Sequence, residues 1–311
     1  MAVFIVDKPL GVTSHDVVSR ARKLLKTKRV GHAGTLDPLA TGVLVVLTED
    51  ATKLSPFLTE SDKTYLAWVS FGASTPTLDA EGPISERGDA SRLIREEVKA
   101  ALPPFLGLAE QLPPQYSAIK KGGVKGYEAA RKGEDLALPP RPAGYRSIQL
   151  LDFATTRDAL PQAFSPTERG WTLSEDGRTF DLPEPLAALP TALLSVEVQA
   201  GTYIRAFARD LGAALGVSAH LSGLVRTRAG RSKLEEAVDM EALPTARGQS
   251  KANALPYPLI TLNEQEVTRV RQGQRLSLNL TERVGLTGEA GELVAVAEPK
   301  GDRFSLLRVW Q

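Results

Sequence analysis

The 311 residues carry 38 lysines and arginines against 37 aspartates and glutamates, with 42% hydrophobic residues and no cysteine. That length suits one large domain plus a small one, and the missing cysteines exclude disulfides, thiolate nucleophiles and thiolate zinc sites. No apolar run approaches the roughly 18 residues of a membrane span, and the apolar start before Asp7 is too short for a signal-peptide core, so a cytoplasmic protein is expected.

The three histidines, His15, His32 and His220, lack ligand-like spacing. The net charge of +1 says little, but its distribution says more. Arg20, Arg22, Lys23, Lys26, Lys28 and Arg29 form a run without an acidic residue, and Lys120, Lys121, Lys125, Arg131 and Lys132 form another. Such patches are the electrostatic footprint of phosphate binding, although a solvated helix face reads the same way.

In chain order, residues 2–6 predict a strand. Ser14 is placed to cap a helix to about Leu25, with Val17, Val18, Ala21, Leu24 and Leu25 on one face. Residues 27–42 hold Gly31, Gly34, Pro38 and Gly42 without a period and predict a loop before the apolar strand Val43–Leu47. Residues 63–71 alternate, with Tyr65, Ala67, Val69 and Phe71 on one face and Leu66 and Trp68 on the other, as in a strand. Residues 90–102 read as helical. The Pro-, Gly- and Lys-rich stretch 113–142 reads as a long functional loop with a short helix near Tyr127–Lys132.

Strands follow at Ser147–Phe153 and Leu193–Ala200, separated by a surface insertion at about 154–192. Tyr203 to Leu215 is an amphipathic helix with Gly216 as its C-cap, and Leu221–Thr227 reads as a strand. The loop-like stretch from Leu243 to Pro258 marks a boundary between domains at 1–250 and 255–311. Beyond it, Asn263 and Glu266 form a capping box for a helix ending near Gly273. Short strands at 283–287, 292–297 and 304–310 complete a small barrel-like module.

The loop Gly31-His-Ala-Gly-Thr-Leu-Asp-Pro-Leu-Ala-Thr-Gly42 holds one carboxylate, Asp37, on constrained backbone beside a basic helix. Proline after it favours an extended conformation, and a simple turn residue would look alike. The segment resembles the signature loop of the bacterial TruB family of tRNA pseudouridine synthases. Four other motifs resemble that family in the same order: Asp7-Lys-Pro-Leu-Gly-Val-Thr-Ser14, Lys63-Thr-Tyr65 with Gly72, Thr75, Thr77, Asp79 and Gly82, Pro113-Pro-Gln-Tyr-Ser-Ala-Ile-Lys120, and Gly201-Thr-Tyr-Ile-Arg205 with Asp210 to Gly212. The tail from about 255 is similar to a PUA domain, a small RNA-binding module.

The resemblance implies an α+β fold: a pseudouridine synthase catalytic domain with a mixed or antiparallel central sheet and flanking helices, then a small C-terminal PUA β-barrel. It implies an isomerase that converts uridine 55 in the tRNA T arm to pseudouridine, without cofactor or metal. The family's catalytic aspartate maps onto Asp37, and Arg205 maps onto an arginine that pairs with it, pictured as a bidentate clamp. From spacing alone Arg205 reads as a surface residue of an amphipathic helix. Tyr65 maps onto the tyrosine that stacks on uracil, though strand alternation would also bury it in a core. Tyr203 and Leu224 map onto further pocket residues.

His32 maps onto a residue that fills the space of the extruded base, on what reads as an exposed loop. Lys8, Lys120, Lys121, Lys125 and Arg131 are the RNA-binding candidates, most of them on a thumb-like loop. The implied partner is the tRNA T stem-loop, with no membrane, no obligate protein partner and a monomeric state. The insertion at 154–192 is longer than the family pattern. An RNA chaperone of the same fold, a guide-RNA-dependent relative and a glycosylase are the rival readings.

Overall fold

The computed structural model describes residues 2–116, 120–121, 124–125, 138–168, 170–274, 276–301 and 303–311. The fold is mixed α+β. Its central sheet contains β1 (Val3–Lys8), β2 (Val30–Ala33), β3 (Ala40–Thr48), β4 (Lys63–Phe71), β5 (Gly107–Gln111), β6 (Arg141–Ala154), β7 (Thr191–Val198) and β8 (Ala219–Ala229). The spatial order is β1-β3-β8-β4-β7-β6-β5, with β2 beside β3. All pairings are antiparallel except β3 with β8, which makes the sheet mixed.

Alternation along β4 sorts its side chains as expected, but both faces are buried. Tyr65, Ala67, Val69 and Phe71 join one core with Leu194, Val196, Leu224 and the helix residues Phe207 and Leu211. Leu66 and Trp68 join the other with Val45, Leu193 and Val225. The longer helices among the described residues are α1 (Ser14–Leu24), α2 (Arg95–Ala101), α3 (Ile204–Ala214) and α4 (Glu264–Arg271).

Three local expectations change. Thr13, not Ser14, caps α1: its hydroxyl accepts from Asp16 N–H at 3.1 Å, and Asp16 accepts from Thr13 N–H at 2.9 Å. Part of the 27–42 segment is strand, because β2 finds a ladder partner in β3, with Gly31 opposite Leu47 and His32 opposite Val46. A local pattern cannot reveal a partner that pairs only in the folded chain. The insertion is not merely superficial. It folds as a hairpin of Phe164–Thr167 against Gly170–Leu173, and Leu160, Phe164 and Trp171 are buried in the same core as Trp68.

The C-terminal segment has its own sheet, β9 (Leu259–Thr261), β10 (Val284–Thr287), β11 (Leu293–Lys300) and β12 (Arg303–Val309), in that order. The predicted capping box closes α4: Asn263 Oδ1 accepts from Glu266 N–H at 2.9 Å, and Glu266 returns the contact at 3.0 Å. Among the described residues no helix is long and apolar enough to cross a membrane.

Candidate active site

Asp37 sits at the tip of the loop between β2 and β3. Its backbone is tied down on both sides. Ser14, relieved of capping, accepts from Leu36 N–H at 2.8 Å and donates to Leu36 O at 2.9 Å. Gly11 N–H donates to Pro38 O at 2.9 Å, and Ala40 N–H donates to Asp37 O at 3.1 Å. Arg226 on β8 donates from Nη2 to Gly34 O at 2.9 Å, from Nη1 to Thr35 O at 3.3 Å and from Nε to Val43 O at 2.7 Å. Gly42 makes room for this. Its φ is +94°, and a Cβ there would lie 2.4 Å from Arg226 O.

The Asp37 side chain keeps 38% of its surface exposed, while Arg205, at 7%, lies beneath it with Nε 2.9 Å from Asp37 Oδ2. The contact is an ion pair rather than an in-line hydrogen bond, since the Nε–H does not aim at the carboxylate. The expected bidentate clamp is not formed. Arg205 instead divides its donors: Nη1 reaches Asp79 Oδ2 at 3.4 Å and Thr77 O at 2.9 Å, and Nη2 reaches Tyr116 O at 2.8 Å. A guanidinium anchored at its far end presents its near edge to Asp37 at a fixed height. Arg205 is thus a buried residue of α3, not a surface one.

The walls are apolar. Leu36 and Leu39, flanking Asp37-Pro38, pack in one buried cluster with Tyr65, Ile204 and Leu224. Register explains the convergence. Leu224 pairs with Ala40 on β3 and Ala67 on β4, while Arg226 pairs with Gly42 and Tyr65. Tyr203 precedes Arg205 at the N-cap of α3, and its backbone exchanges two hydrogen bonds with Gln111, at 2.9 and 3.1 Å. The structure therefore brings Asp37 and Arg205 together, beside the cluster that holds Tyr65 and Leu224, from three separate motifs and β8.

The electrostatics are those of a partly dry site. Burial raises the Asp79 carboxyl above its ordinary value, with Arg205 pulling the other way. Partial burial, then Asp79 and Asp37, push the neighbouring Glu81 up to about 7. His32 stands on β2, half-buried, rather than on an exposed loop. Its carbonyl accepts from Ser55 Oγ at 3.0 Å, and burial, then the charges of Arg226 and His15, lowers its imidazole.

Lys8 departs furthest from expectation. It has no exposed surface, and Nζ donates to Val12 O at 2.7 Å, Pro9 O at 2.9 Å and Pro38 O at 3.4 Å. A lysine so enclosed braces the Asp37 loop from below and is out of reach of a phosphate. Residues 120–121 and 124–125 pair as a short antiparallel hairpin, with Lys120 opposite Lys125. Arg131 and the short helix expected near 127–132 lie outside the described residues. Sequence reading passed over Arg226 and gave Ser14 only a capping role. The place of Ser14 in the first motif was the one available signal, but the bonds of both run to backbone carbonyls, which no residue pattern displays. Among the described residues no cluster of His, Cys, Asp and Glu is arranged to hold a metal.

Residues 22–164 match the TruB family pseudouridylate synthase, N-terminal domain. The chain is 52% identical over 311 residues to a tRNA pseudouridine synthase B of Thermus thermophilus, spanning 100% of this chain and 99% of that one. It is 49% identical over 310 residues to the tRNA pseudouridine synthase B of Deinococcus radiodurans, spanning 100% of each. A solved Cbf5-Nop10-Gar1 complex contains a chain that superposes with a TM-score of 0.68 at 24% identity, covering 100% of this chain and 85% of that chain. At that identity the likeness speaks to the fold alone.

Proposed function

This chain belongs to the TruB family of pseudouridylate synthases, and from that premise we propose that it isomerises uridine 55 in the T arm of tRNA to pseudouridine, with Asp37 as the catalytic carboxylate. One observation carries the reading: a half-open carboxylate on a rigid loop, 2.9 Å from a buried arginine, whose flanking Leu36 and Leu39 pack with Tyr65 and Leu224.

The reaction breaks the bond from uracil N1 to C1′, turns the base and joins C5 to C1′, with the C5 proton replaced at N1. An oriented carboxylate supplies the attacking or proton-accepting oxygen. Arg205, fixed by Asp79, Thr77 O and Tyr116 O, keeps that oxygen aimed at the sugar and base. The target uridine is extruded before chemistry, and Tyr65 stacks on it while Tyr203 and Leu224 close the pocket. His32 takes the place the base leaves. Apolar walls hold the detached uracil and keep water from the sugar, so the base is rejoined rather than released. Lys120, Lys121, Lys125 and Arg131 grip the phosphates of the arm, and the enzyme works as a monomer.

The test uses the purified chain and an unmodified tRNA transcript, with a chelator and no cofactor, and maps pseudouridine by site. Wild type should modify the T-arm uridine, and Asp37→Asn should lose the activity by three orders of magnitude or about that. Tight binding without pseudouridine from wild type would overturn the proposal in favour of an RNA chaperone or a guide-dependent enzyme. Free uracil would point to a glycosylase.

A further inference from the structure

We propose that Arg226 is a positioning residue for this reaction, locking the Asp37 loop and Tyr65 to one another without meeting the RNA; the inference rests on the reading of Asp37 just given. Arg226 lies in mid-strand on β8, opposite Gly42 on β3 and opposite Tyr65 on β4. It is 1% exposed. Its three bonds fall on Gly34 O and Thr35 O, where the chain enters the loop, and on Val43 O, where the chain has left it. One planar group therefore closes the neck of the loop, with Asp37 at the tip.

The chemistry of the contact calls for arginine. Three carbonyls on three bearings need a rigid planar fork of donors, and an ammonium on a flexible stem cannot match it. The surroundings are shaped to admit it. Gly42 brings β3 within a distance of β8 that a Cβ would forbid. A Cβ on Gly34, whose φ is +79°, would sit 3.5 Å from Nη1.

Ser14 and Lys8 also hold the loop, but from the side of β1 and α1. Arg226 ties it by hydrogen bonds to the strand pair carrying Leu224 and Tyr65. A displacement of about 1 Å between the carboxylate and the stacking ring is enough to cost a large factor in rate while leaving the RNA-binding surface intact. Arg226 therefore governs the chemical step and not tRNA affinity.

The experiment compares Arg226→Lys with Arg228→Lys. Arg228, two residues further along β8, pairs with Glu197 and with Thr64 Oγ1, neither of which belongs to the loop. Pseudouridine formation is followed in single turnover with saturating enzyme, tRNA affinity by filter binding and folding by thermal melting. Arg226→Lys is expected to bind tRNA within about threefold of wild type and to react at least about tenfold more slowly, while Arg228→Lys keeps the wild-type rate. Arg226→Gln, which removes the buried charge but keeps two donors, replaces the lysine variant if that one does not fold.

A folded Arg226 variant reacting at the wild-type rate would overturn the proposal. So would an equal rate loss in Arg228→Lys, which would make the effect one of strand stability, and so would a loss confined to tRNA affinity. A wild-type chain that makes no pseudouridine would instead sink the functional reading, and this inference with it.

Discussion

A lysine with no exposed surface and three carbonyl acceptors is an unusual way to brace a loop, because burial works against its charge. Burial pulls the Lys8 ammonium from its ordinary 10.5 down to about 8; Glu81 and Asp37 act against that fall, and Arg226 adds to it. Folded protein thus releases this proton near pH 8, and unfolded chain near 10.5. Between those values the unfolded state holds more protons, so the stability contributed at this site rises with pH; below about pH 8 both states are charged and the burial penalty is constant. The full effect is at most about 3 kcal/mol. Lys8→Met should flatten the rise in thermal stability between about pH 8 and 10. A variant whose melting temperature follows the wild-type curve through that range would show that Lys8 is not the titrating group. The same residue shows what a sequence hides at this scale, since Lys8, expected among the RNA-binding candidates, is fully buried in the fold.

At the next scale, β4 and the Asp37 loop behave oppositely. Strict alternation over 63–71 predicts a strand and assigns each side chain to a face, and the two cores form as that pattern requires. The 27–42 segment has no period, and its strand exists because β3 offers unpaired backbone. The paired segments 120–121 and 124–125 are a third case, in which register sets Lys120 opposite Lys125. Like charges directly opposite each other disfavour a hairpin on its own and favour an anionic partner. Replacing Lys120, Lys121 and Lys125 together by glutamate should weaken tRNA binding at low salt. It should also make the fall of log K with log salt shallower by about 2 to 3 in slope. An unchanged slope in a titration from about 50 to 200 mM salt would remove these residues from the RNA interface.

Across the whole molecule, the C-terminal sheet does not hang from a linker. Trp310 is buried, and its indole N–H donates to Asp50 O at 3.2 Å. Arg283 pairs with Glu60 at 2.7 Å, and Tyr257 meets Phe57 edge-on at 6.4 Å between centroids. Leu255, Leu293 and Val296 share a core with Trp68 and Trp171. A contact of that kind couples the melting of the two parts. Trp310→Ala should cost about 3 to 5 kcal/mol and lower a single cooperative transition in calorimetry. Two separate transitions in the wild-type chain, with the variant moving only the smaller, would contradict the coupling.

Fold class and most strands were legible in the residues, because periodicity and caps are local properties of a chain, and motif order drew Asp37, Tyr65 and Arg205 out as candidates through the family resemblance. Convergence was not. The sharing of Arg205 between Asp37 and Asp79, the burial of Lys8, the release of Ser14 from capping to hold Leu36, and the clasp of Arg226 on Gly34, Thr35 and Val43 all join segments distant in sequence. Most of those contacts end on backbone carbonyls, which every residue carries and none advertises. Only the packed sheet decides which carbonyls are left open and which buried cation is near enough to meet them.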